Sequence, residues 1–279
     1  MKFISQAPVL RYSNQNKLNV IFVHGWGCGC QDWRSVKPLL FDRIRPGFVD
    51  LLSIIDCSAV LGLRNLSEAA EQVMFFADEI GFERFALVGH SMGARIAADV
   101  AAHCTERVSR LLLLDGSNLP EDPEIAEERL SNEIKRLGQE KWAELTINSM
   151  MVENLVTDLK LSMVKRLANY PIQVLLDYYH AMAKWDRDQF LPAINKIKCP
   201  VTIMQATTLD SGEKRHSVTT NPSSRWIDGF STYMPKSKII LLPGTGHFVM
   251  LEHPKAIADW VNKNESSLTT NPLTSKISN

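Results

Sequence analysis

Three short segments carry residues whose types and spacing could do chemistry. Gly89-His90-Ser91-Met92-Gly93 sets a serine between two glycines. That spacing suits a sharp strand-to-helix turn, in which a strained backbone lifts the hydroxyl clear and tolerates only small neighbours. A helix beginning there also turns its N-terminus toward any negative charge that develops on a substrate. Pro243-Gly244-Thr245-Gly246-His247-Phe248 offers a histidine on a glycine-rich loop, downstream of the serine. A serine hydroxyl is a weak nucleophile until a base within hydrogen-bond reach accepts its proton, and His247 is the candidate. His24-Gly25-Trp26-Gly27 supplies a loop whose backbone can come close to a reacting atom. The N–H groups of Trp26 and Met92 are then the candidate donors to the oxyanion of a tetrahedral intermediate. Together these parts describe acyl transfer through Ser91.

Other chemistries fit less well. Gly25, Gly27 and Gly29 with Asp50 downstream imitate a dinucleotide-binding fingerprint, but its third glycine falls on Cys30. Cys28 and Cys30 form a Cys-x-Cys with no second pair or histidine cluster to complete a zinc site. No cofactor and no metal are expected. The five cysteines, an odd number without a regular framework, read as reduced thiols.

Elements able to position these residues can be read along the chain. Asn19 to Val23, Gly47 to Leu51, Arg84 to Val88 and Val108 to Leu114 are apolar, strand-like runs, and Pro200 to Gln205 and Lys238 to Leu242 add two more. Helical patterns lie between them, one capped by Ser67 and running to Glu79, and one alanine-rich from Ala94 to Cys104. Near-continuous apolar strands separated by helices predict an α/β fold with a mostly parallel sheet and helices on both faces. Amphipathic helices at Glu124 to Leu137, Gln139 to Met151, Thr157 to Ala168 and Ile172 to Lys184 follow one another without a strand. They predict a helical cap at residues 117–192, inserted in a core of residues 1–116 and 193–264 that closes on a helix at Pro254 to Asn262. The polar stretch 265–279 reads as a flexible tail.

Composition removes whole classes of function. Lysine plus arginine equals aspartate plus glutamate, 31 each, so no basic excess recommends a nucleic-acid partner. No apolar run approaches the roughly 20 residues that cross a bilayer, and Met1 to Leu10 lacks a signal-peptide core. A cytoplasmic protein acting on a small apolar molecule, without a membrane partner, is the expectation; the oligomeric state is left open.

The three motifs in their strand contexts, HGWG, GHSMG and GTGHF, resemble the α/β-hydrolase superfamily over roughly residues 18–263. The resemblance implies an α/β-hydrolase fold with a variable cap, Ser91 as nucleophile and His247 as base, with the Trp26 and Met92 amides as oxyanion hole. It leaves two candidates for the triad acid. In the commonest family layout the acid follows the strand after the cap, where Leu209 occupies the expected place and Asp210 comes one residue late. Branches such as haloalkane dehalogenases and cofactor-free quinolone dioxygenases take it from the strand after the nucleophile helix, which selects Asp115. We favour Asp115, with Asp210 as the alternative. One departure is that Asp50 lacks the Asp-x-x-Gly-x-Gly turn of many relatives.

For the pocket, His24 and His90 in the motifs and Trp142, Met150, Tyr178 and Trp185 in the cap are the candidate lining residues. The basic segment Lys160 to Arg166 reads as a solvated helix face. Three functions are then open. They are hydrolysis of a carboxylic ester, thioester or lactone, cofactor-independent dioxygenation of an N-heteroaromatic ring at the same residues, and ligand reception by a hydrolase-like scaffold.

Overall fold

The aliphatic runs assemble into one six-stranded parallel sheet. A computed structural model describes residues 17–51, 65–119, 122–151, 157–209 and 215–263. In chain order the core begins with β1 (Leu18–Val23), β2 (Ile44–Val49), α1 (Leu66–Glu79), β3 (Phe85–His90), α2 (Met92–His103) and β4 (Val108–Leu114). Five helices follow: α3 (Pro123–Leu137), α4 (Gln139–Met150), α5 (Thr157–Ala168), α6 (Ile172–Asp188) and α7 (Phe190–Lys196). The core then resumes with β5 (Val201–Gln205), a hairpin of β6 (Thr207–Leu209) and β7 (Arg215–Ser217), and α8 (Arg225–Tyr233). It ends with β8 (Lys238–Leu241), α9 (Val249–Glu252) and α10 (Pro254–Asn262).

The strand order is β2-β1-β3-β4-β5-β8, every pair parallel. Residues of β3 and β4 are buried along their whole length, as strands covered on both faces must be. The alanines of α2 allow close approach to the sheet, and all its residues from Met92 to Ala102 are buried. The chain leaves β1 toward β2 and returns to β3 on β1's other side. Loops after β1 and β3 therefore diverge at this switch point, the usual crevice for a ligand at the carboxyl ends of parallel strands.

Several boundaries differ from the sequence reading for local reasons. β2 starts at Ile44 and includes Pro46, which an edge strand tolerates because its missing N–H faces no neighbour. Asn65, not Ser67, caps α1: its side chain accepts from Ser67 N at 3.0 Å. Helix α6 continues four residues past Lys184, and α7 spans the boundary placed at 192/193. Pro192 lies in the first turn of α7, where no intrahelical N–H is lost. The β6–β7 hairpin and α8 carried too short a period to be read as elements. The Asp50 turn departure beyond Leu51, the tail at 265–279 and Asp210 lie outside the described residues. Among the described residues no helix is long and apolar enough to cross a membrane.

Candidate active site

Ser91 is the single residue between β3 and α2, and its backbone is strained, with φ 55° and ψ −113°. Three segments converge on it. Its N–H donates to the Leu114 carbonyl at 3.0 Å, and its carbonyl accepts from Ala94 N at 3.0 Å. A Cβ on Gly93 would lie 2.3 Å from the Val23 carbonyl oxygen, and one on Gly89 would lie 2.2 Å from the Gly93 oxygen. The two glycines of the motif are thus demanded by backbone packing between β1, β3 and α2, and the serine's conformation follows.

The loop after β1 packs directly on this turn: a Cβ on Gly25 would sit 3.2 Å from Ser91 Cβ. Among the described residues neither the Trp26 N–H nor the Met92 N–H has an acceptor. The helical insert holds the loop from above. Trp26 Nε1 donates to the Leu175 carbonyl at 3.0 Å, Tyr170 Oη to the Cys28 carbonyl at 3.0 Å, and Arg166 Nε to the Gly27 carbonyl at 3.2 Å. Arg166 also pairs with buried Asp32 at 2.6 Å. Its guanidinium is therefore turned inward, which corrects the reading of Lys160 to Arg166 as a solvated face: the arginine's long apolar stem lets one end of the segment anchor the loop.

Asp115 follows β4 and is fully buried, with φ 46°, a conformation that aspartate tolerates better than most residues. Its Oδ2 lies 2.6 Å from His247 Nδ1 and accepts from Thr207 Oγ1 at 2.6 Å. Oδ1 accepts from the N–H groups of Ala206 at 2.8 Å and Thr207 at 2.6 Å, and from Gln205 Nε2 at 3.1 Å. Burial pushes the carboxyl up. The hydrogen bond and charge of His247, the Arg215 charge and the Thr207 hydroxyl together outweigh that and hold it below its ordinary value.

His247 is gripped by its backbone as well as its ring. Its N–H donates to the Met150 carbonyl at 2.8 Å, and its carbonyl lies 2.9 Å from His90 Nε2. Burial, and then the Arg215 charge, lower its pKa to about 4 against the opposing pull of Asp115. The ring is neutral at pH 7, with Nδ1–H donating to Asp115 and the Nε2 lone pair left over. No hydrogen bond yet joins Nε2 to the partly exposed Ser91, and such bonds commonly tighten only when substrate arrives.

The remaining pocket candidates divide. Trp142 packs its ring 5.8 Å from that of Trp26, edge to face, and Met150 touches the site through its carbonyl. His24 is a brace: Nε2 accepts from Leu51 N at 3.1 Å, which leaves Nδ1–H to donate to the Gly25 carbonyl at 2.8 Å. His90 lies against His247, ring centroids 4.7 Å apart, and burial drives its pKa to about 3, so it is a neutral donor. Tyr178 is buried in α6, and its hydroxyl has no partner among the described residues. Trp185 donates to Asp99 Oδ1 at 3.0 Å and packs near Phe190, so it joins α6 to the far part of α2 and the structure does not bring it to Ser91.

Sequence reasoning passed over Arg215, Arg95 and Asp186. Arg215 on β7 sits 2.7 Å from Thr207 Oγ1 and 3.4 Å from Asp115 Oδ2. Arg95, one turn into α2, makes a two-pronged ion pair with Asp186 of α6 at 2.9 and 2.7 Å and reaches the Ser91 and Ser117 carbonyls. No motif marks either arginine; the one available signal was the position of Arg95 four residues after the serine, one helical turn on. Among the described residues, no group of three or more His, Cys, Asp or Glu could hold a metal ion.

Comparison with known proteins gives this arrangement a setting. A family model described as the alpha/beta hydrolase family matches residues 20–260. A 150-residue stretch is 29% identical to the pimeloyl-[acyl-carrier protein] methyl ester esterase of Aliivibrio fischeri, covering 54% of this chain and 51% of that one. A 102-residue stretch is 29% identical to the dihydrolipoyllysine-residue acetyltransferase component of the acetoin cleaving system of Pseudomonas putida, covering 37% of this chain and 28% of the relative. The chain thus spans only about a quarter to a half of these relatives' length. Among solved structures, a hydrolase from Pseudomonas aeruginosa superimposes with a TM-score of 0.72 at 16% identity, covering 88% of each chain. The enol-lactonase from Burkholderia xenovorans gives 0.70 at 16%, covering 88% of this chain and 90% of that one. At such identities the likeness extends to the fold alone.

Proposed function

The chain belongs to the alpha/beta hydrolase family, and from that premise we propose that it hydrolyses a carboxylic ester, thioester or lactone of a small to medium, largely apolar substrate through an acyl-Ser91 intermediate. The observation that carries this reading is the 2.6 Å contact between His247 Nδ1 and Asp115 Oδ2, at the sheet edge where Ser91 is held in its strained turn.

Ser91 Oγ attacks the carbonyl carbon while His247 Nε2 takes the hydroxyl proton. The carbonyl π electrons move onto oxygen, and the oxyanion accepts from the Trp26 and Met92 N–H groups. Asp115 keeps the imidazole in the tautomer with its proton on Nδ1 and stabilises the imidazolium that forms. Collapse breaks the bond to the leaving oxygen or sulfur, which takes the proton from Nε2. A water then repeats the sequence on the acyl-enzyme, releasing the acid and restoring Ser91. In this reading the insert of α3–α6 is a cap that supplies the apolar wall, with Trp26, Trp142 and Tyr179 as its aromatic part; the Trp26 ring lies 5.4 Å from that of Tyr179.

The test is turnover of p-nitrophenyl acyl esters of increasing chain length by the wild type, Ser91→Ala and His247→Ala. Loss of at least about 10³-fold in both variants is expected, and a chain-length optimum sizes the pocket. Wild-type turnover that survives in Ser91→Ala would exclude the acyl-serine route. The Asp115–His247 contact also favours a second reading, because cofactor-free dioxygenases that resemble this chain take their acid from the same strand. There His247 would deprotonate an N-heteroaromatic substrate without acylation of Ser91, and oxygen uptake with a quinolone distinguishes it.

A further inference from the structure

Asp115 has its hydrogen bonds without Arg215, which adds only charge. Its two oxygens already accept from Gln205, Ala206, both donors of Thr207 and His247, and the guanidinium stands off at 3.4 Å. Arg215 is nonetheless held beside the acid by Thr207 Oγ1, with only 12% of its side chain exposed. Arg95, the other buried cation near the serine, has its own carboxylate in Asp186 at 2.7 Å. Among the described residues Arg215 has no such dedicated partner: it shares Asp115 with the imidazole.

The position is costly for the proposed chemistry. Among the described residues the largest charges acting on His247 are those of Asp115 on β4, Arg215 on β7 and Arg95 on α2, while His90 on β3 is neutral. Of these only Asp115 favours the imidazolium that must form during acylation. A cation in a buried, low-dielectric place next to the base opposes that step unless something neutralises it. The Arg215 charge lies within electrostatic reach of Tyr179, whose hydroxyl accepts from Arg129 at 3.1 Å. Tyr179 packs on Trp26 of the loop beside Ser91, so this polar edge adjoins that loop.

We propose that Arg215 recognises an anion: the ester turned over here carries a carboxylate that docks on the Arg215 guanidinium, with the Tyr179 hydroxyl and Arg129 behind it. The inference rests on the ester-hydrolysis reading and deepens it by naming the substrate class, an otherwise apolar ester with one carboxylate. A guanidinium fork matches a carboxylate in two parallel hydrogen bonds, which no neutral ester reproduces. Docking cancels the charge that opposes the imidazolium, so the proper substrate completes the electrostatics of its own site.

The experiment compares matched pairs of esters in the wild type, Arg215→Gln and Arg215→Lys. On the acyl side, mono-p-nitrophenyl adipate is set against p-nitrophenyl hexanoate; on the leaving-group side, 4-acetoxybenzoate is set against 4-acetoxybenzamide, whose phenol is a leaving group of similar basicity. The ratio of kcat/KM, anionic to neutral, is expected to exceed about 10 in one pair for the wild type, the range of one charge-assisted hydrogen bond. It should fall to near 1 in Arg215→Gln and stay intermediate in Arg215→Lys. A ratio unchanged by Arg215→Gln in both pairs overturns the proposal. Binding of adipate and 4-hydroxybenzoate, followed by tryptophan fluorescence, provides a readout independent of turnover. If no ester is hydrolysed, the ester-hydrolysis reading has failed. Anion binding lost in Arg215→Gln then still supports the site, and equal binding by both proteins refutes it.

Discussion

Replacing Asp115 by asparagine changes one oxygen to an NH₂, and the structure decides which one. Oδ1 accepts from two backbone N–H groups, at 2.8 and 2.6 Å, and from Gln205 Nε2. Those backbone donors cannot turn away, so the amide oxygen of the introduced side chain must take the Oδ1 place. The NH₂ then falls where Oδ2 was, 2.6 Å from His247 Nδ1 and 3.4 Å from Arg215. A donor facing Nδ1 forces the imidazole into its other tautomer, with the proton on Nε2. The lone pair that should take the Ser91 proton then points away from it. Holding the wrong tautomer costs about 10⁴ in kcat, roughly 5.5 kcal/mol at 1.36 kcal/mol per tenfold. The assay is kcat on the best p-nitrophenyl ester at pH 7, beside a urea unfolding curve showing that the variant is folded. Asp210→Asn, measured in parallel, should lose less than tenfold. A kcat for Asp115→Asn within tenfold of the wild type would refute the tautomer argument. An equal or greater loss in Asp210→Asn would move the acid to Asp210.

Four further outcomes follow. The rate on an uncharged ester needs neutral His247, so the acid limb of kcat/KM should fall near pH 4, where burial and Arg215 hold its pKa, not near 6.5. Stability should move with the same groups: folded His247 and His90 stay neutral down to about 4 and about 3, while the unfolded chain takes up protons below about 6.5. The unfolded state then binds more protons, and stability drops as pH falls from about 6.5 toward 4, by about 1–2 kcal/mol per histidine at pH 5 in urea titrations; a flat stability between pH 7 and 5 would contradict it. Arg95→Met strands a buried carboxylate at Asp186 and should cost about 3–5 kcal/mol, whereas Arg95→Met with Asp186→Leu should lose less than the single change, and simple addition of two losses would deny the coupling. Trp185→Phe removes the hydrogen bond to Asp99 and should lower stability by about 1 kcal/mol without moving the chain-length optimum, a moved optimum being evidence that Trp185 lines the pocket.

What the sequence made legible has a common physical basis. The elbow could be read because sterics act over five residues: a Cβ added at Gly89 or Gly93 would lie 2.2 or 2.3 Å from a backbone oxygen, so no other residue type fits. The parallel sheet could be read because burial on both faces leaves an unbroken aliphatic run, as in β4. Arg215 and the Arg95–Asp186 pair could not, because their meaning lies in separations of 100 and 91 residues along the chain and in no local period. Trp185 was drawn into the pocket by residue type alone. Its N–H needed a partner, and the carboxylate that supplies it lies two turns along α2 from the serine. Asp115 occupied the middle ground: position made it a candidate, while its φ of 46° and the donors gathered around it are properties of the assembled strand ends.

Those strand ends explain why the insert and the chemistry are hard to separate. The donors that solvate Asp115 come from the end of β5, whose sequence neighbour is the hairpin carrying Arg215, so acid and cation are positioned by one turn. On the other side of the serine, Leu175, Tyr170 and Arg166 of the insert all bond the loop after β1. Met150, also from the insert, holds the backbone of His247. The helices over the site therefore reach its loops through four separate residues and fix backbone, not only side-chain walls. A substitution in α4, α5 or α6 that reshapes the pocket will shift the Trp26 amide or the His247 ring as well. Even a 1 Å misplacement of such groups can cost on the order of 10² in rate, so under the proposed mechanism pocket shape and the position of the Trp26 amide must vary together.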